Sequence, residues 1–393
     1  VQGWDVQWHA NLVRFIMDTG VASPTRMGEL QNVETHAQLL YPSAFHTGIA
    51  LFGQAAGLDP IPALNIGMIV LTGIALPITA ACLAFAFTRS RGLTTQIAAG
   101  LAAIFVYGAP QLVWVGDFVG MWPYLFAMSL TGAVIYQFTR IPARHAGALP
   151  ATVGLLGVLT AHPAALTVVV LGVGLYWLTS TLIRPERGRL ADTVWMAAPG
   201  AVAAVAYLPQ VFAGSAQAEE VSGWATKESK DFDSGWDIAF SLQTRHVHEF
   251  FPDYDATVWL WLAGFGALAC LVWRRQVWPG LFYALSLNIT ANAIAPVAGP
   301  LSGLLTLAGN LHYNTAHRLI IPVVLSVLVA AAIGVAAMIR LLTLAPVAAR
   351  LGSQAWERGT GVASISMALV VAMLAAPTVR TDALAGAQSA FLD

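Results

Sequence analysis

Long stretches without charge dominate this chain: residues 61–88, 95–115, 119–138, 164–183 and 319–339 are almost wholly apolar. A bilayer core of ~30 Å is crossed by about 20 apolar residues in helix. Backbone polar groups at that depth must bond within their own segment, which selects helices for runs of this length. Only 10% of residues are charged, and mean hydropathy is +0.68. The expected fold is an all-α polytopic membrane protein of about ten spans, at 61–88, 95–115, 119–138, 147–163, 164–183, 193–213, 256–273, 277–297, 319–340 and 360–378. Cys82 and Cys270 lie inside apolar spans and read as small buried hydrophobes.

Charge alternates between the ends of these spans. One side collects Arg89, Arg91, Arg140, Arg144, Arg184, Arg187, Arg189, Arg274, Arg275, Arg340, Arg350 and Arg358, which is 12 of the 19 basic residues. The other side carries 17 of the 20 acids and eight of the nine histidines. Counting Lys and Arg near span ends makes the arginine-rich side cytoplasmic. Four regions follow: an extracytoplasmic first loop with interfacial helices (1–60), six spans (61–213), an extracytoplasmic loop (214–255), and four spans with an outer C-terminal end (256–393). Residues 46–58 are apolar but too short to cross, and read as an interfacial or re-entrant helix. The chain starts at Val1 without Met, and the reading expects a preceding helix and a following segment to have been removed.

The first 46 residues hold Asp5, His9, Asp18, Glu29, Glu34, His36 and His46, a dense polar cluster against a bilayer. Such groups need partners, solvent or chemistry, because unpaired charge is expensive there. Asp5 and His9 are i,i+4 and share a helical face, an arrangement suited to taking a proton from a hydroxyl; the plainer reading has Asp5 as a cap and His9 in solvent. Tyr41-Pro42 disfavours helix at Tyr41, so a new helix starts after it with His46 in its first turns, where a neutral imidazole is favoured.

Three further outer segments carry polar groups. Asp117, Trp122 and Tyr124 lie at the turn between the second and third spans, where an aromatic belt alone accounts for the rings. His162 sits in the tight Ala161-His162-Pro163 turn. Tyr313, His317 and Arg318 sit at the mouth of the ninth span, where a guanidinium either forks a phosphate or snorkels to headgroups. Residues 236–251, including Arg245, His246 and His248, read as one amphipathic helix within a solvated loop that would act as a lid. The chain shows no phosphate-cradling glycine loop, no Cys/His zinc spacing and no basic stripe for nucleic acid.

Together, Asp5-x3-His9, Glu34 with Tyr41-Pro42 and His46, Trp122-Pro123-Tyr124, Ala161-His162-Pro163 and Tyr313-Asn-x-x-His317-Arg318 resemble the GT-C superfamily of integral-membrane glycosyltransferases, in an actinobacterial, largely uncharacterised branch. The resemblance covers most of 1–340. It implies transfer of a sugar, arabinofuranose or mannose both fitting, from a polyprenyl-phosphate donor to a cell-envelope glycan or glycolipid on the outer face of a bacterial cytoplasmic membrane. Asp5 is implied as general base, oriented by His9, with Glu34 competing for that role. Arg318, His317 and Tyr313 would hold the donor phosphate, and His46, Tyr41, Asp117, Trp122, Tyr124 and His162 the substrates. The cofactor is left open; Mg, Mn or Ca would suit Asp5, Glu34 and phosphate. The alternatives are a transporter or flippase of lipid-linked saccharides and a non-catalytic membrane scaffold.

Overall fold

The computed structural model describes residues 5–30, 40–214, 234–297 and 299–392, and all regular structure within them is helical. Helices α1 (Asp5–Thr19) and α2 (Ala44–Ala56) precede α3 (Pro60–Thr88), α4 (Leu93–Phe105), the short α5 (Trp114–Val119) and α6 (Trp122–Arg140). Then come α7 (Ala148–Ala161), α8 (Ala165–Tyr176), α9 (Arg189–Gly214) and two short pieces, α10 (Gly235–Phe240) and α11 (Val247–Phe250). The last are α12 (Thr257–Leu268), α13 (Trp278–Ile294), α14 (Ser302–Asn310), α15 (Ala316–Leu342), α16 (Ala345–Leu351) and α17 (Gln354–Leu392). Single π-helical turns, Trp177–Thr181 and Ala269–Trp273, extend α8 and α12.

Four helices are long and apolar enough to cross a bilayer: α3, α9, α15 and the 354–377 part of α17. The apolar segments Leu93–Gly108, His145–Ala161, Ala165–Thr181 and Thr257–Trp273 are shorter. At 1.5 Å per residue they reach only about 24–26 Å, so length and composition by themselves pick out four candidate spans. Ile69, Phe212 and Trp261 are 71–72% exposed. Large apolar groups so placed fit a lipid surrounding.

The apolar window of α15 is 94% buried, against 11% for that of α17, so α15 is the pillar and α17 lies at the rim. Helix α12 crosses α15 backbone to backbone. A Cβ at Gly266 would stand 1.7 Å from Ala330 O, and one at Gly334 would stand 2.3 Å from Leu262 O. Small residues permit that approach where no hydrophobic effect drives helices together. Helix α6 meets α3 in the same way, with Gly132 against Thr79 O.

The two ends of the bundle differ in chemistry. At one, Arg89 pairs with Glu186 at 2.9 Å, Arg91 and Arg140 both donate to the Tyr136 hydroxyl, and Arg274 donates to Thr88 O. At the other end stand the buried histidines. Between α10 and α11, Leu242 (φ 61) and His246 (φ 69) adopt left-handed backbone, so the expected single amphipathic helix over 236–251 is two short helices joined by a turn. Left-handed backbone cannot continue a right-handed helix. Residues 215–233 of the proposed lid, and Glu34 and His36, lie outside the described residues.

Candidate functional site

The site forms where α1, α2, the 120–124 turn, the 162–164 turn and the segment leading into α15 meet. Gly120 ends α5 with φ 79, a conformation glycine adopts at little cost. A Cβ there would lie 3.0 Å from Asp5 Cβ and 3.3 Å from Val6 N, so the turn docks directly on the start of α1. The Gly120 carbonyl then faces His9, whose Nε2–H donates to it at 2.8 Å.

That carbonyl fixes a proton order. A neutral His9 donating from Nε2 must accept at Nδ1, so the Nε2–H of His46, 2.9 Å away, donates to it. His46 Nδ1 is buried and makes no hydrogen bond of full geometry, with the Pro42 carbonyl close enough to act on the ring. Burial holds the His9 imidazolium pKa down at about 4, and drives that of His46 well below its ordinary value. Trp122 stacks on His9 with ring centroids 6.0 Å apart, and Tyr41 stands edge-on to His46 at 5.7 Å. Both nitrogens of His9 are therefore engaged elsewhere, and the expected orientation of Asp5 by His9 does not occur. The i,i+4 spacing brought the residues to one face, but His46 and Gly120 took the ring.

Arg318 stands across from this pair. Pro322 supplies no N–H to the carbonyl four residues back, which belongs to Arg318. The Tyr124 hydroxyl takes that acceptor at 3.0 Å. With its proton so used, Tyr124 accepts from His312 Nδ1–H at 3.0 Å, and the Thr167 hydroxyl completes the row at His312 Nε2. Thr167 also has Ala164 O within 2.8 Å. His162 meets the Tyr124 ring edge-on at 5.3 Å. Burial depresses both His162 and His312, the latter to about 3.

The Arg318 guanidinium lies 4.5 Å from the Tyr313 ring centroid and 5.6 Å from that of Tyr124. Tyr313 (φ 57) and Asn314 (φ 48) are consecutive left-handed residues, held by N–H bonds from His312 and Asn314 to Gly309 O at 2.8 and 2.9 Å. Strain of this kind persists only where surroundings over-determine it. Arg318 Nε and Nη1 are buried and have no hydrogen-bond partner among the described residues. A cation with idle donors between aromatic faces can donate charge-assisted hydrogen bonds to an anion.

Asp5 completes the polar surface. Burial raises its pKa, partly offset by the positive charge of Arg318. Tyr41 is within electrostatic reach of Tyr313, Arg318 and Asp5 at once. Burial also raises Asp117, whose backbone oxygen accepts from Trp122 Nε1 at 3.2 Å. Thus Asp5, His9, Tyr41, His46, Trp122, Tyr124, His162, Tyr313 and Arg318 gather at one end. His317 turns the other way, toward His246 at 6.2 Å. Adjacent helical residues point about 100° apart, so its neighbour Arg318 does not bring it into the same cluster. His312, one of the two histidines of the polar run 310–318 that favour a phosphate there, and Thr167 enter the site instead; for Thr167 there is no sequence signal. Among the described residues no group of three or more His, Cys, Asp or Glu converges to hold a metal, and Glu34 lies outside them.

Beside His312 opens a crevice of about 330 Å³, lined by Leu166, Thr167, Leu311, Leu319 and Pro322 among others. It is apolar except where His312, Thr167 and Ser286 reach it, so the polar cluster and an apolar hollow share a wall.

No curated protein and no solved structure matches this chain. The chain belongs to DUF6541, a family of unknown function whose sequence model matches residues 1–392.

Proposed function

We propose that this protein is a membrane glycosyltransferase of the GT-C type, moving a sugar from a polyprenyl-phosphate donor to a cell-envelope glycan or glycolipid. In this reading the four shorter apolar segments, together with α6 and α13, join the four long helices in a ten-span topology. The arginine-rich end faces the cytoplasm and the histidine-rich end faces outward. The single observation that carries the reading is the buried, unpartnered edge of Arg318, opposite a carboxylate that burial has made more basic and beside an apolar crevice.

The chemistry follows from those three features. Asp5 accepts the proton of the acceptor hydroxyl as its oxygen forms a bond to the anomeric carbon. The bond from that carbon to the phosphate oxygen breaks, and the electron pair leaves on the lipid phosphate. Arg318 faces the charge that develops there, with Tyr313 and Tyr124 fixing its plane. The isoprenoid tail lies in the crevice beside His312. His9 and His46 act as positioning residues, tying α1 to the 120–124 turn so that Asp5 is presented at one place. A divalent ion would find Asp5 as its one described carboxylate ligand here and would supply further positive charge toward the leaving phosphate.

The test is transfer of radiolabel from a polyprenyl-phosphate sugar in membranes carrying each variant. Asp5→Asn and Arg318→Ala are each expected to lose about 10²–10⁴-fold in rate. Full activity in both would overturn the mechanism. Movement of the lipid-linked sugar across the membrane without formation of product, equal in Asp5→Asn and wild type, would replace it with transport.

A further inference from the structure

A second and larger hollow lies away from the site. It holds about 610 Å³, in the size range of small-molecule pockets, and is almost wholly apolar. Its sides are α12 and α13, and its back wall is Ser326, Val327 and Ala330 of α15. It runs from Phe240, on the histidine side, to Gln276 and Val277 at the arginine-rich end. The space comes from missing side chains: a Cβ added at Gly264 or Gly280 would meet no atom within 4 Å.

The arginine-rich mouth is polar in a specific way. Arg274 is spent on the end of α3, donating to Thr88 O at 2.7 Å and Arg89 O at 3.3 Å. Arg275 is exposed, and among the described residues it has neither ion pair nor hydrogen bond. Its left-handed backbone (φ 52) is locked by the bond from Gln276 N to Cys270 O at 2.9 Å. Two carboxylates of the same end are engaged elsewhere. Glu186 pairs with Arg89, and Asp192 Oδ2 accepts from the backbone N–H groups of Glu186 and Arg187.

We infer that this crevice holds a resident anionic phospholipid, its acyl chains between α12 and α13 and its phosphate on Arg275. Apolar walls exclude water and favour hydrocarbon. An exposed guanidinium on Arg275, the residue before the lining residue Gln276, favours a negative headgroup from the leaflet on that side. The inference does not depend on glycosyl transfer, because the crevice shares no lining residue with the polar cluster.

The experiment is native mass spectrometry of the whole chain purified in mild detergent, with lipid extraction. It is followed by reloading of stripped protein from micelles of phosphatidylglycerol or phosphatidylcholine. Wild type is expected to retain phospholipid and to prefer phosphatidylglycerol by about fivefold, the effect of a basic residue on an anionic headgroup. Gly264→Leu and Gly280→Leu, which send a side chain into the open hollow, are expected to lose most of the retained lipid. Arg275→Gln, at an exposed position outside the packing, should keep the lipid and lose the preference. Equal retention in both glycine variants, equal loading of the two lipids by wild type, or an unchanged preference in Arg275→Gln would each overturn the assignment. So would recovery of polyprenyl phosphate as the bound lipid.

Discussion

At the scale of single residues, the decisive question is which group carries which proton. His9 and His46 are buried as neutral rings, and each gains a proton more readily in the unfolded chain, where imidazole titrates near 6.5. Their contribution to stability is therefore full above about pH 6.5 and is lost as pH falls toward the folded value of about 4 for His9. Asp5 has the opposite sign. Its raised pKa means the folded state holds the proton more tightly, so its contribution grows as pH falls toward the carboxylate range. Unfolding of the detergent-solubilised protein across pH 4–7 should show the acid loss steepened in Asp5→Asn and flattened in His9→Asn. In the transfer assay, the acid limb of kcat/KM should lie above the ordinary carboxylate position and vanish in Asp5→Asn. The i,i+4 placing of Asp5 and His9 was legible in the chain, as was a helix start that puts His46 in its first turns. The partner of His9 was not, because Gly120 lies 111 residues away and acts through a main-chain carbonyl that no motif records.

At the scale of elements, apolar run length located the helices closely. The 61–88 and 319–340 readings correspond to α3 and α15, and the short run after Pro42 to α2. The reading over 95–115 fails at its end, since the helical run stops by Gly108, just before the Ala109-Pro110 pair, and α5 begins anew at Trp114. Helix α14 lies inside what reads as an outer loop; its nine residues are too few for a span signal. Packing of the elements rests on glycines that look ordinary in sequence. Gly334→Ala would press a methyl group against Leu262 O and push α12 from α15. A loss of about 1–3 kcal/mol is expected for such overpacking, measurable as a lower unfolding midpoint. Gly120→Ala carries both a left-handed backbone and the contact with Asp5 Cβ, so it should lower stability and transfer activity together.

At the scale of the whole molecule, the separation of arginines from histidines makes a prediction about sides. With Cys82 and Cys270 replaced by Ala, an exposed cysteine placed at Thr19 should react with a membrane-impermeant maleimide added to intact cells. One placed at Arg144 should react only after lysis. The reverse pattern would invert the topology, and equal labelling of both would remove it. The pattern of charge was readable without coordinates, because the cost of moving Lys and Arg across a bilayer acts on each loop separately. The meeting of α1, the 120–124 turn and the start of α15 was not, because it arises from long-range packing around a buried pillar.

The chain by itself determined helical class, approximate helix positions and the sorting of charge to two ends, since hydrophobic length and backbone satisfaction are local requirements that each segment meets alone. Only the tertiary structure decided that His46 and Gly120 hold His9 in place of Asp5, that His312 rather than His317 joins Tyr124, and that Pro322 frees a carbonyl for that tyrosine. It also left Arg318 with two idle donors. The physical reason is that a side-chain hydrogen bond depends on direction within a fraction of an ångström, and directions are set by where whole helices cross.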